Sequence, residues 1–293
     1  PTGVELKICK IRIVLVGKTG CGKSATGNTI LQKKKVFPSK LSFTSLTSAC
    51  QKKKEEIYGQ TVAIVDTPGL FETNATEEEV IKELTKCIML SAPGPHVFLV
   101  VIQPHRFTKE EQETVKLIQK TFGEKAADHT MVLFSHGDDL EEEGTSIEKL
   151  LIQNEEVAAF VRQCGGRYHV FNNRKNDPSQ VEELLQKLQE MIENNEGRCY
   201  TNEMFQEAEK AIKDTMQIIL RENPNLENEE ARRRAESDNW LIHEVLQQFS
   251  GSPAMGAQAD RGREQLPKIA AYLVEALVLA VRSEGAAGRC IIL

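Results

Sequence analysis

Short apolar runs rich in β-branched residues alternate with longer segments of helical period between Ile11 and about Asn195. Such alternation is typical of βα units, whose strands assemble into a mostly parallel sheet covered by helices. The pattern therefore predicts an α/β fold with six strands, at about 11–16, 51–58, 61–65, 96–102, 130–135 and 167–171.

One short connection fixes the direction of a strand. Only Gly59 and Gln60 separate the second predicted strand from the third. Two residues can close a hairpin, whereas a crossover between parallel strands needs about a dozen or more. The second strand is therefore predicted to run antiparallel to the third, at an edge of the sheet.

The composition of the chain changes after Gly197. A charged, helix-prone stretch follows, and then residues rich in Gly, Ala and Ser, which are typical of a flexible linker. The predicted organisation is an N-terminal tail at 1–10, an α/β domain at 11–197, a helical extension at 198–250, a linker at 251–265 and a short apolar helix with its tail at 266–293.

Charge and composition narrow the class of protein. The 293 residues include 37 Lys and Arg against 43 Asp and Glu, a net charge of −6, which argues against a dedicated nucleic-acid-binding protein. The seven cysteines form no CxxC pair, and their odd number fits no closed disulfide framework, so a reducing, cytoplasmic compartment is expected. The longest apolar segment, 269–281, is interrupted by Glu275 and is too short to cross a bilayer.

The first predicted strand leads into GKTGCGKS, which fits the phosphate-loop pattern GxxxxGK[ST] and precedes a predicted helix. Glycines allow backbone N–H groups to converge on phosphate oxygens, and the start of the helix adds its positive dipole end. Lys23 is predicted to supply a charge and Ser24 a magnesium ligand. The residues predicted to bind nucleotide here are Gly17, Thr19, Gly20, Cys21, Gly22, Lys23, Ser24 and Ala25.

A second motif, DxxG, follows the third predicted strand, with Asp66 at the end of the strand and Gly69 three residues later. Asp66 is predicted to hold magnesium through its water shell, and the Gly69 N–H to meet the γ-phosphate. A threonine between the two motifs normally completes the magnesium shell. Thr44 and Thr47 both qualify from the residues alone.

The base-binding residues depart from the usual pattern. The expected NKxD after the fifth strand is replaced by His136-Gly137-Asp138-Asp139. Asp139 keeps the carboxylate, which can accept from both the ring N–H and the exocyclic amine of guanine. Asn173, after the sixth strand, offers an amide for the base edge, and His136 is counted with the nucleotide-binding residues. Guanine is therefore favoured over adenine.

The residues for hydrolysis are also unusual. Leu70 stands where a Ras-type enzyme has the glutamine that orients the attacking water, so intrinsic hydrolysis is expected to be slow. Arg106, in the loop after the fourth strand, is a candidate catalytic arginine supplied to a second protomer. An exposed arginine with a structural role is the alternative.

Several segments resemble those of the immunity-associated GTPases, the GIMAP family, in order and spacing: GKTGCGKSATGNTIL, the Cys50-Gln51-Lys52 stretch, DTPGLFET, GPHVFLVVIQPHRFTKEEQ and VLFSHGDDL. The resemblance covers about 11–195. It implies a septin- and TOC-related GTPase fold that binds GTP and magnesium and assembles through its nucleotide face. It further implies Thr47 rather than Thr44 as the magnesium-binding threonine, and a tolerated departure at His136.

These predictions describe a GTP-binding switch with slow, magnesium-dependent hydrolysis, expected to assemble with copies of itself or with related GTPases. A nucleotide-stabilised scaffold that binds GTP but scarcely hydrolyses it is the alternative, which Leu70 permits and Arg106 opposes. An enzyme with motor-like turnover is a third hypothesis.

The last four residues, Cys290-Ile291-Ile292-Leu293, match the prenylation signal, and the terminal leucine favours a geranylgeranyl group. One lipid chain holds a protein only reversibly, so a second membrane contact is needed. The apolar face of 269–281 is suited to that contact, and packing of this helix on the GTPase domain is the alternative. The sequence therefore predicts lipidation at Cys290 and a peripheral location on the cytosolic face of a membrane.

Overall fold

The computed structural model describes residues 10–38, 49–68, 77–104, 107, 111, 118–119 and 121–250. Several residues that the sequence singles out lie outside these ranges, namely Thr44, Thr47, Gly69, Leu70, Arg106 and Cys290. Their roles stay predictions, as does the apolar helix at 269–281.

The described strands form one six-stranded sheet in the order β2-β3-β1-β4-β5-β6. They are β1 (Lys10–Val16), β2 (Gln51–Ile57), β3 (Gln60–Asp66), β4 (Val97–Ile102), β5 (Thr130–Phe134) and β6 (Tyr168–Val170). The pairs β1–β3, β1–β4, β4–β5 and β5–β6 are parallel, whereas β2 runs antiparallel to β3 at an edge. The predicted α/β class, the six strands and the reversed edge strand are confirmed.

The described helices are α1 (Lys23–Ile30), α2 (Glu77–Ser91), α3 (Gly137–Glu142), α4 (Ile147–Gln153), α5 (Glu155–Gln163), α6 (Ser179–Asn194), α7 (Glu203–Glu222), α8 (Asn228–Ser237) and α9 (Trp240–Ser250). A 3₁₀ turn spans Glu124–His129. Within the part of the chain that the structure describes, no helix is long and apolar enough to span a membrane.

The central strands are buried along almost their whole length. Every residue of β4 and of β5 is buried, as expected of parallel strands covered on both faces. Helix α6 contributes an apolar stripe at helical spacing to the same core. Its predicted members are confirmed as core residues: Val181, Leu184, Leu185, Leu188 and Ile192.

The chain divides into two compact units, the first made of Pro1–Glu72 and Gly94–Tyr200 and the second of Thr73–Pro93 and Thr201–Leu293. The predicted helical extension is present, but it shares its unit with α2, which the sequence placed inside the α/β domain. Helix α2 packs against α7, α8 and α9. The predicted domain boundaries stay a prediction.

An arginine on α8 holds the second unit together. Arg232 donates to both carboxylate oxygens of Glu209 on α7, at 3.1 and 2.7 Å, and to Glu236 at 2.9 Å. It also donates to the carbonyl oxygen of Ala92, at the end of α2, at 3.0 Å. Bidentate arginine–carboxylate bonds are stronger and more directional than single ones, so this side chain fixes three helices in one arrangement.

Two buried histidines in the first unit are held in their neutral form. His96 accepts a hydrogen bond at Nδ1 from the Arg12 backbone N–H at 2.9 Å. Burial, with the Arg12 charge beside it, lowers the pKa of His96 to about 3. Burial, with the charge of Lys187, likewise lowers the pKa of His169 to about 4.

We expect the free energy of unfolding to fall as the pH is lowered from 7 to 5. Unfolded histidines take up protons near pH 6.5, whereas native His96 and His169 stay neutral until about pH 3 and 4. Each histidine is therefore expected to lower the free energy of unfolding by up to about 1.4 kcal/mol per pH unit below 6.5. Urea unfolding at pH 7 and pH 5 measures the difference.

Two variants assign this pH dependence. His96→Gln should reduce the fall in stability between pH 7 and 5, because it removes one of the two buried groups. His169→Gln removes the other buried group and should reduce the fall for the same reason. A fall of the same size in His96→Gln as in the wild type would contradict the assignment.

Candidate nucleotide-binding site

The phosphate loop approaches the sheet so closely that its first residue has to be glycine. Gly17 follows β1 with a φ of +147°, which side chains with a Cβ rarely adopt. A Cβ added there would lie 2.4 Å from the carbonyl oxygen of Val101 on β4 and 2.9 Å from the sulfur of Cys21. The loop is thereby held against the carboxyl end of the sheet.

The loop continues into α1 through a second glycine with a left-handed backbone. Gly22 is the N-cap of α1 with a φ of +97°, and no described side chain caps the helix. The first N–H groups of a helix have no partner within it, and the helix dipole favours negative charge at this end. The start of α1 is therefore suited to bind a phosphate group.

Lys23 lies buried inside the loop. Its Nζ donates to the carbonyl oxygens of Gly17 at 2.8 Å and of Lys18 at 2.9 Å. These two bonds fix the ammonium group at the centre of the loop rather than in solvent. The positive charge therefore lies where the backbone N–H groups of a phosphate loop converge.

The two predicted magnesium ligands of the described region are in direct contact. Ser24 Oγ donates to Asp66 Oδ2 at 2.6 Å, and Asp66, at the end of β3, is completely buried. A hydroxyl and a carboxylate are the hard oxygen ligands that Mg²⁺ prefers, so the residues fit this metal. Ser24 and Asp66 would hold the ion, which neutralises phosphate charge when it is bound.

The predicted base loop connects β5 to α3. His136 has a left-handed backbone with a φ of +57° and forms the N-cap of α3, and Asp138 and Asp139 lie in the first turn of that helix. Arg174 Nη1 lies 2.6 Å from Asp138 Oδ2. This ion pair engages Asp138, and base binding by Asp139 stays a prediction.

Gly137 stands where NKxD proteins have lysine, and the structure explains the small residue. Its N–H donates to the carbonyl oxygen of Phe171 at 2.8 Å. A Cβ added to Gly137 would lie 3.1 Å from the same carbonyl group. The loops after β5 and β6 are therefore packed together at this point, and a larger side chain would separate them.

Asn173, in the loop after β6, is engaged by α1. Its Oδ1 accepts from the Thr29 hydroxyl at 2.8 Å, and its Nδ2 donates to the Thr26 hydroxyl at 3.2 Å. Both ends of the amide thus hold the loop against α1. This favours a positioning role over direct contact with the base, and base binding by Asn173 stays a prediction.

Two residues at strand ends were missed by the sequence motifs. Gln103, after β4, donates through Nε2 to the Gly20 carbonyl at 3.0 Å. Ser135, after β5, donates through Oγ to the Cys21 carbonyl at 2.6 Å. Their only signal in the sequence is their position, since polar residues directly after parallel strands face the ligand edge of such a sheet.

Cys21 contributes backbone and packing rather than reactivity. Its side chain is buried, and burial raises the pKa of the thiol. The thiolate is the nucleophilic form of cysteine, so a thiol held protonated is inert at neutral pH.

The phosphate loop after β1, the carboxylate at the end of β3 and the base loop after β5 lie on one mostly parallel sheet. Together they define a P-loop GTPase domain. The model of the AIG1 family matches residues 11–218. The chain therefore belongs to the AIG1 family, a family of GTP-binding proteins, and the resemblance to immunity-associated GTPases is confirmed.

Two relatives show how far the similarity extends. Immune-associated nucleotide-binding protein 9 of Arabidopsis thaliana is 37% identical over 212 residues, which are 70% of this chain and 62% of that protein. GTPase IMAP family member 8 of Homo sapiens is 36% identical over 200 residues, which are 67% of this chain and 30% of that protein. The chain thus spans less than two thirds of the length of either relative.

Solved structures of Toc33 from Arabidopsis thaliana share the fold. The complex with Mg²⁺ and GMPPNP has a TM-score of 0.50 at 18% identity and covers 64% of this chain and 86% of that one. A second solved structure has a TM-score of 0.51 at 19% identity. It was described with the finding that dimerization is important for the GTPase activity of the chloroplast translocon components atToc33 and psToc159. It covers 64% of this chain and 84% of that one.

We expect Lys23→Ala to weaken GTP binding at least tenfold, because it removes the ammonium group from the centre of the phosphate loop. Fluorescence titration with a labelled GTP analogue measures the affinity. Lys33→Ala, which removes an exposed lysine beyond the end of α1, is the matched control and should bind as the wild type does. Wild-type affinity in Lys23→Ala would refute the site.

Proposed function

We propose that this chain binds GTP with Mg²⁺ and acts as a switch that hydrolyses GTP slowly and assembles through its nucleotide face. One observation carries the proposal: the direct bond between Ser24 and the buried Asp66, beside a lysine fixed inside the phosphate loop. A hydroxyl, a carboxylate and an ammonium group at one point suit a magnesium-bound polyphosphate. The names of the related GTPases and the Toc33 complex with Mg²⁺ and GMPPNP support this ligand.

Guanine is the proposed base. Asp139 is the carboxylate of the base loop that is not paired with Arg174 in the described structure, and it lies in the first turn of α3. A carboxylate can accept from two guanine N–H groups at once, whereas the corresponding edge of adenine lacks this pair of donors.

The sequence and a protein of similar fold support the proposed slow hydrolysis and assembly. Leu70 replaces the glutamine that orients water in Ras-type enzymes, which leaves the catalytic group to come from elsewhere. For Toc33 and Toc159, dimerization is important for GTPase activity. By analogy, we assign Arg106 as an arginine supplied to the nucleotide of a second protomer or a related GTPase.

The second candidate function is a scaffold that binds GTP with negligible hydrolysis. Leu70 favours the scaffold, because its side chain offers no hydrogen bond to water. The two functions share the same binding site and differ only in turnover.

For the location we propose the cytoplasm. The five described cysteines are free thiols, in keeping with a reducing compartment: Cys21, Cys50, Cys87, Cys164 and Cys199. Attachment to a membrane through Cys290 stays a prediction.

The rate of GTP hydrolysis, measured at low and high protein concentration, distinguishes the switch from the scaffold. If protomers activate one another, GTP hydrolysed per molecule should rise with concentration, and Arg106→Ala should lose this rise while keeping its affinity for GTP. Arg162→Ala, which removes an exposed arginine of α5, is the control and should behave as the wild type does. Negligible hydrolysis at every concentration would favour the scaffold, and a constant rate in the wild type would contradict activation in trans.

A further inference from the structure

Four carbonyl groups of the phosphate loop accept hydrogen bonds from side-chain donors. A carbonyl oxygen that faced a phosphate would repel it, so these bonds keep the oxygens engaged elsewhere. The donors and their acceptors are Lys23 to Gly17 and Lys18, Gln103 to Gly20, and Ser135 to Cys21.

Ser135 makes the shortest of these contacts and is completely buried. Its Oγ lies 2.6 Å from the Cys21 carbonyl oxygen and 3.2 Å from that of Ile102. A hydroxyl has one proton to donate. The Cys21 oxygen is the nearer of the two, at a distance typical of an O–H···O bond, so we assign the hydroxyl proton to the bond with Cys21.

The same hydroxyl is oriented by His136, whose Nδ1 lies 2.9 Å from it. Because the hydroxyl proton points at Cys21, the ring nitrogen has to donate and therefore carries a proton. The contact with Ser135 thus uses the Nδ1 atom of His136, and the ring is suited to orient the hydroxyl.

The bond to Cys21 also sets the direction of an N–H group. The Cys21 carbonyl and the Gly22 N–H belong to one planar peptide unit and point in opposite directions. A carbonyl fixed by Ser135 therefore turns the Gly22 N–H towards the opposite side of the peptide. A Cβ added to Gly22 would lie 3.4 Å from that of Ser135, so the serine packs directly against this peptide.

We propose that Ser135, oriented by His136, is a positioning residue that fixes the Cys21–Gly22 peptide so that its N–H is ready for a nucleotide phosphate. This role rests on the proposed binding of a guanine nucleotide at the site. It differs from base recognition, because the group that Ser135 holds belongs to the phosphate loop.

Ser135→Ala tests the proposal through nucleotide release. Loss of the hydrogen bond should speed the dissociation of a fluorescent GDP analogue about tenfold. The same factor should apply to the inosine and xanthosine diphosphates, because the peptide that Ser135 holds is proposed to bind phosphate and not the base. The ³¹P resonance of the bound β-phosphate should shift as well. Ser146→Ala, which removes the hydroxyl at the N-cap of α4, is the matched control and should leave all three readouts unchanged.

The outcomes separate the two claims. Wild-type release and an unshifted ³¹P resonance in Ser135→Ala would overturn the role of Ser135, as would a change confined to the preference for guanine. A wild type that binds no guanine nucleotide would instead overturn the proposed function. Should Ser135→Ala fail to fold, the ¹⁵N spectrum of the wild-type histidines decides: a His136 ring that carries a proton at Nδ1 supports the inference, and a ring protonated at Nε2 alone refutes it.

Discussion

The phosphate loop is held against the carboxyl ends of the central strands, and the rest of the site depends on this contact. Gly17 allows the approach, since any side chain would collide with Val101 of β4. Ser24 then reaches the carboxylate of Asp66 at the end of β3. Ser135, at the end of β5, reaches the loop from the other side. Three strands thus fix the positions of the backbone and side chains that would surround a polyphosphate.

The loops on the base side of the site are held by further contacts between distant segments. Gly137 allows the loop after β5 to hydrogen-bond to the Phe171 carbonyl, and Asn173 ties the following loop to α1. Gly137 and Asn173 thus join loops at positions where a residue that stacks on the base, or hydrogen-bonds to its edge, is expected. Under the proposed function, specificity for guanine would rest mainly on Asp139, which makes this carboxylate the most informative position to change.

The structural features that depend on residues close together in the chain could be predicted from the sequence. The strands and the reversed edge strand closed by Gly59 follow from local pattern and spacing, and they are found as expected. The sequence did not predict contacts between distant segments. The bond from Ser135 to Cys21 joins residues 114 positions apart, and the engagement of Asn173 by α1 spans a similar distance. A strand-end serine or asparagine has the same local pattern whether it binds a ligand or another loop, so only the packed structure distinguishes the two.

Binding of nucleoside triphosphates to the wild type and to Asp139→Asn tests the central claim most directly. Titration calorimetry in the presence of Mg²⁺ should show that the wild type binds GTP and that ATP binds far more weakly. Asp139→Asn should prefer xanthosine triphosphate, because the amide can donate to the oxygen that replaces the guanine amine. Equal binding of GTP and ATP by the wild type would contradict a guanine-nucleotide site at this edge of the sheet. An unchanged preference in Asp139→Asn would contradict Asp139 as the residue that reads the base.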